Sequence, residues 1–114
     1  MTIKEMMIKI DPVLFGQAVK KVRAIQKLSQ RRLAKKVGQP INWIQSLENV
    51  DKNISIATAR KLAKSFDMPT SALIILSKDP AKIKGDKSAR KLLEAVINLT
   101  ETMLKVKQSY KPGQ

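Results

Sequence analysis

Between Ser29 and Asn49 the chain reads SQRRLAKKVGQPINWIQSLEN, and no other stretch limits the fold as much. Leu33, Ala34 and Val37 recur at helical spacing, Gly38 interrupts them, and Ile44 with Leu47 resumes the pattern. These spacings predict two short helices meeting at a tight turn. On the second helix Ile41, Asn42, Trp43, Gln45 and Ser46 are left facing outward, an uncharged face surrounded by lysines and arginines.

The charge of the whole chain gives that face its meaning. Twenty-three Lys and Arg stand against nine Asp and Glu in 114 residues, a net charge of +14. A highly charged soluble surface would account for the total but not for its distribution. Residues 12 to 50 carry Lys20, Lys21, Arg23, Lys27, Arg31, Arg32, Lys35 and Lys36 against the single acid Glu48, whereas residues 1 to 11 are neutral. Cations that hold phosphates around an uncharged face that meets base edges are the footprint of a DNA reader.

Other chemistries find little to work with. The chain has no cysteine and no histidine, which removes disulfides, His/Cys zinc sites, thiol nucleophiles and imidazole acid-base chemistry. Paired acids at catalytic spacing and a phosphate-binding glycine loop are also lacking, so no enzyme, cofactor or metal is expected. MMIKI near the start is broken by Lys9 and does not resemble a signal peptide, and Ala72 to Leu76 is too short to cross a bilayer. A cytoplasmic location is the expectation.

Read in order, residues 1 to 11 form an arm in which Met6, Ile8 and Ile10 alternate weakly. Asp11 followed by Pro12 predicts an N-cap and the first residue of a helix. That helix buries Phe15, Ala18, Val19, Val22 and Ile25 and closes at Leu28, and Gly16 inside it predicts close approach of a neighbouring helix. Ser29 caps the second helix, and the third runs from near Pro40 to near Asn49. Ser55 caps a fourth, with Ile56, Ala59, Leu62, Ala63 and Phe66 inward, and Pro69 starts a fifth with Leu73, Ile74 and Leu76. Residues 12–76 thus make one all-α domain of five helices.

Residues 77–86 turn polar, carry Pro80 and Gly85, and read as a linker. Beyond them, over 87–110, Ala89, Leu92, Val96, Leu99, Met103, Val106 and Tyr110 are spaced 3, 4, 3, 4, 3, 4, an unbroken heptad seam that Leu93, Ile97 and Leu104 widen. This amphipathic helix needs a partner. It either folds back on its own domain or pairs with a second copy through Leu92, Val96, Leu99, Met103 and Val106; the even phasing favours a homodimer.

Across residues 12 to 76, Phe15-Gly16, Val19, Arg23, Leu28-Ser29-Gln30, Leu33-Ala34, Val37-Gly38, Ile44, Leu47-Glu48-Asn49, Ser55, Leu62-Ala63, Phe66, Met68 and Leu73 resemble the helix-turn-helix domain of phage Cro and repressor proteins, the xenobiotic response element family. The resemblance implies that the third helix enters the major groove with Ile41, Asn42 and Ser46 on the bases and Trp43 beside them. Asn42 suits adenine best, since its amide can donate to N7 and accept from N6. Trp43 is either a base contact or part of the domain's packing. Ser29 and Gln30 would meet a phosphate at the second helix's N-terminus, with Gln45, Asn49, Lys52 and Asn53 as further backbone contacts. Arg23 and Glu48 would pair structurally.

The chain departs from the family pattern at three places. Pro40 and Pro69 replace capping Ser or Thr, and Val50 stands where glycine commonly follows the Glu-Asn pair, leaving Asn49 to supply a left-handed turn. The function these features imply is a dimeric, sequence-specific transcription regulator acting on double-stranded DNA as a repressor. The alternative is an antitoxin or adaptor whose last helix holds a partner protein while the DNA domain autoregulates.

Overall fold

The computed structural model describes residues 11–49, 54–82 and 85–109. Among them the chain forms helices and no strand: α1 (Pro12–Ile25), α2 (Gln30–Val37), α3 (Ile41–Asn49), α4 (Ile56–Ser65), α5 (Thr70–Leu76), a 3-10 turn (Pro80–Lys82) and α6 (Lys87–Ser109). Residues 1–10 of the expected arm, Lys52, Asn53 and Tyr110 lie outside the described residues.

Four of the six α-helix starts follow from a side chain that satisfies an orphan amide. Asp11 Oδ1 accepts from the Leu14 amide at 3.1 Å, Ser29 Oγ from Arg32 at 3.1 Å and Ser55 Oγ from Thr58 at 3.1 Å. Asp86, the last residue of the polar stretch 77–86, caps α6 by accepting from the Ala89 amide at 3.0 Å. The two prolines stand one position earlier than expected. Pro40 and Pro69 precede α3 and α5, and their carbonyls accept the first helical bonds, from Trp43 at 3.0 Å and from Ala72 and Leu73 at 3.1 and 3.3 Å. Pro69 is extended, with ψ 143°, so it contributes its carbonyl at the entry and no side-chain cap.

Three helices end the same way. An amide two or three residues beyond the helix bonds back across six residues, Leu28 to Arg23 O at 2.9 Å, Gln39 to Ala34 O at 2.9 Å and Met68 to Ala63 O at 3.0 Å. This closure requires a left-handed residue just before the bonded amide. Gly38 meets the requirement without a Cβ at φ 80°, but Lys27 and Asp67 meet it at φ 55° with one. The turn at Lys27 is why α1 ends at Ile25 and not at Leu28, which it folds into the core instead. Asn49 is the last residue of α3, helical and not a left-handed cap.

The five-helix body closes over Phe15, Val19, Val22, Leu33, Ile44, Leu47, Leu62, Phe66 and Leu73, all fully or almost fully buried. Truncating an aromatic such as Phe15 here to Ala would cost about 3–5 kcal/mol. α1 crosses α3 at Gly16, where a Cβ would collide with the Leu47 carbonyl. The close approach read from that glycine is therefore to the third helix, and it seats α3 directly on α1.

The polar stretch after α5 is a packed strap. Ser77 is buried with its hydroxyl donating to the Ile74 carbonyl, and Lys82 Nζ lies 2.8 Å from Asp11 Oδ2, tying the 3-10 turn to the start of α1. That bond holds the Lys82 ammonium above its usual pKa, while burial pushes neighbouring Lys78 below its own, partly offset by the Asp11 charge. α6 then runs back along α5, the turn and α1. Leu104 is buried against the body and Ile97 packs beside it, with Lys21–Glu101 at 2.6 Å and Lys107–Asp67 at 3.0 Å as exposed clasps. The seam read from the heptad is turned away: Leu92, Leu99, Met103 and Val106 are exposed and Val96 is half-buried. The face that docks carries Ile97 and Leu104, which the sequence suggested only as a widening of that seam; Leu93, the third residue of that widening, is half-buried.

Candidate nucleic-acid interface

The presentation of α3 begins with a buried carboxylate. The Glu48 side chain has no exposed surface, and its two oxygens accept Arg23 Nε at 2.8 Å and Arg23 Nη2 at 3.0 Å in a forked pair. Arg23 Nη1 also donates to the Leu28 carbonyl at 3.1 Å. One guanidinium therefore joins α1, the turn before α2, and α3. A planar fork is needed for this, and lysine could not replace it.

Gln30 completes the cluster by donating from Nε2 to Glu48 Oε1 at 3.1 Å. The resemblance implies a phosphate contact for Gln30; here one of its two amide hydrogens is spent on α3, which leaves one for another acceptor. The only signal that could have suggested this was the surplus of acceptor capacity on a carboxylate paired with a single arginine.

With Glu48 consumed internally, α3 presents no charge to solvent. Asn42, Gln45 and Asn49 are exposed and follow one another at spacings of three and four, so the carboxamides line a single stripe, with Ile41 exposed at its head. Ser46 is half-buried, and Trp43 is half-buried and packed against the core. The structure thus brings Ile41, Asn42, Gln45 and Asn49 together on the outer stripe and sets Trp43 and Ser46 back from it.

α2 lies against α3 and supplies the opposite chemistry. Arg31, Arg32, Lys35 and Lys36 are exposed, and Lys36 also reaches the Ser65 carbonyl at 3.4 Å. Ser29 Oγ occupies the Arg32 amide, so the amides of Gln30 and Arg31, at the first two helical positions, have no acceptor within the helix. They form an anion-attracting end beside the carboxamide stripe. The expected dimerisation residues lie apart from this cluster, on α6.

No helix among the described residues is long and apolar enough to cross a membrane. No curated protein and no solved structure matches the chain. A family model does: the helix-turn-helix model aligns with residues 19–73, from the middle of α1 to the middle of α5. That span contains Arg23, Glu48, the capped start of α2 and the whole of α3, and the all-helical architecture agrees with the repressor-like fold. The domain built around the Arg23–Glu48 pair belongs to the helix-turn-helix family of Cro and phage-repressor type, the xenobiotic response element family, and the chain is a DNA-binding transcription regulator.

Proposed function

We propose that the protein is a sequence-specific, homodimeric repressor that inserts α3 into the major groove of a pseudo-palindromic operator and occludes a promoter. The observation that carries this reading is the uncharged carboxamide stripe of α3 beside the basic, amide-rich start of α2. Asn42 and Gln45 read base edges, Asn42 pairing bidentately with adenine, and Ile41 covers a thymine methyl. Ser29, Gln30, Asn49 and the lysines and arginines of α2 hold phosphates, which fixes register without carrying sequence information. Ser46 and Trp43 support the stripe from behind.

Residues 12–76 form the DNA-binding unit in this reading, and α6 joins two of them. The two copies of α3 then lie one helical turn of DNA apart, about 34 Å. The test is a footprint on fragments that include the protein's own promoter, repeated as salt rises. A protected, two-fold symmetric site whose affinity exceeds that for random DNA by about 10³ or more supports the reading. Uniform affinity for all fragments, with a steep salt slope and no footprint, defeats it.

A further inference from the structure

The outer face of α6 is an interface for a second copy of this chain, we infer, and the two helices pair antiparallel about a two-fold axis passing between Asn98 and Leu99. The inference rests on the homodimer reading and adds to it which residues meet. Ser88, Leu92, Ala95, Leu99, Thr102, Val106 and Ser109 are all exposed and follow at spacings of 4, 3, 4, 3, 4, 3. They form one straight stripe along more than five turns, free of charge on a chain of net +14.

The stripe alternates small and large, and it reads alike from either end. An isologous contact demands this self-complementarity, because the same patch must fit itself. With the helices antiparallel about that axis, Leu99 falls between Ala95 and Thr102 of the partner, Leu92 between the partner's Thr102 and Ser109, and Val106 between the partner's Ser88 and Ala95. Small residues at the facing positions let the axes approach closely. The polar members do not obstruct burial: Thr102 Oγ1 already donates to the Asn98 carbonyl at 2.8 Å and Ser109 Oγ to the Lys105 carbonyl at 3.0 Å.

Area supports a second copy as well. Leu92, Leu99 and Val106 of the stripe are 67, 60 and 61% exposed, and Met103 on its flank 63%. With the small residues between them the stripe offers on the order of 600 Å² per copy, or roughly 1,200 Å² in a pair, at the lower bound for a specific interface. Because α6 docks on its own domain through Ile97 and Leu104, it can pair without leaving that domain.

The chain lacks cysteine, so introduced thiols report cleanly. Ala95→Cys and Thr102→Cys variants of the full chain are oxidised singly and as a mixture, and each is sized by sedimentation. In the antiparallel pair Ala95 faces the partner's Thr102, whereas two copies of residue 95 are separated by about seven residues, about 10 Å along the axis and beyond disulfide reach. The expected result is a dimer in every sample and covalent dimer in the mixture alone. Cross-linking of either single variant overturns the antiparallel arrangement. A dimer that cross-links in no sample overturns the α6 contact and leaves the homodimer standing, and a monomer at micromolar concentration overturns both.

Discussion

Among the described residues two exposed helix faces are free of charge, and they are made of different material. On α3 the stripe is Asn42, Gln45 and Asn49; on α6 it is Leu92, Leu99 and Val106 with small residues between. A carboxamide face gains only when donors and acceptors meet it in fixed positions, so it discriminates among partners. An aliphatic face gains from area alone and depends on shape for its selectivity. In both places the cations are kept off the stripe, and in α3 the one acid is turned inward onto Arg23. The lesson is that removing charge from a helix face is the common step, and what replaces it decides whether the face reads or binds.

The largest blow to the comparison is Glu48→Ala. It leaves the half-buried Arg23 fork without its carboxylate and should lower unfolding free energy by about 3 kcal/mol, measured by denaturant titration. Because the change is internal, the α6 stripe keeps its composition, and dimer formation should outlast specific DNA binding as denaturant is raised. Next is Leu99→Asp, which places a charge at the centre of the aliphatic stripe. It should weaken self-association at least 100-fold by sedimentation while the thermal midpoint of the monomer stays within a few degrees, since that residue is already exposed.

Asn42→Ala addresses the other stripe alone. It should cost about 1–3 kcal/mol of discrimination at one base pair of the operator, read by competition with single-base variants, with non-specific affinity unchanged. Salt should separate the two faces by sign. DNA binding weakens as salt rises, whereas self-association tightens a few-fold, because antiparallel α6 helices bring exposed Lys91 opposite the partner's Lys105. The smallest expected effect is a control that touches neither face: Lys27→Gly relieves a left-handed residue at φ 55° and should raise stability by about 0.5–1 kcal/mol.

Much of this architecture was legible because its signals are local. Spacing alone picked out Phe15, Val19, Val22, Leu33, Ile44, Leu47, Leu62 and Leu73 for the core, and Asp11, Ser29 and Ser55 announced their helices. Gly16 was legible as a close approach because a helix tolerates glycine poorly without a reason. The Arg23–Glu48 pair came only from the family resemblance, since nothing in a sequence brings residues 25 positions apart to one place.

What escaped has specific causes. Left-handed turns at Lys27 and Asp67 carry no glycine to mark them, and tertiary closure imposes a conformation that side chains resist. Gln30 went to Glu48 because a buried carboxylate takes every donor within reach, a property of the fold and not of the residue. On α6 apolar residues cover so much of the circumference that periodicity could not tell which of two adjacent stripes would meet the body. Ile97 and Leu104 did, leaving Leu92, Leu99, Met103 and Val106 outside.

If the chain pairs as proposed, Gly16 also bears on how rigidly the two half-sites would be measured. α3 rests on α1 at that glycine, and α1 is clasped to α6 through Lys21 and Glu101, so in the proposed homodimer the path from two-fold axis to base edge would run through packed helices. Two readers joined this way have a fixed angular phase around the double helix. One base pair inserted at the operator centre rotates the half-sites by about 35° relative to each other, and ten restore the angle but add a full turn of length. A stiff caliper of this kind accepts neither change, which would make operator spacing as stringent a determinant as operator sequence.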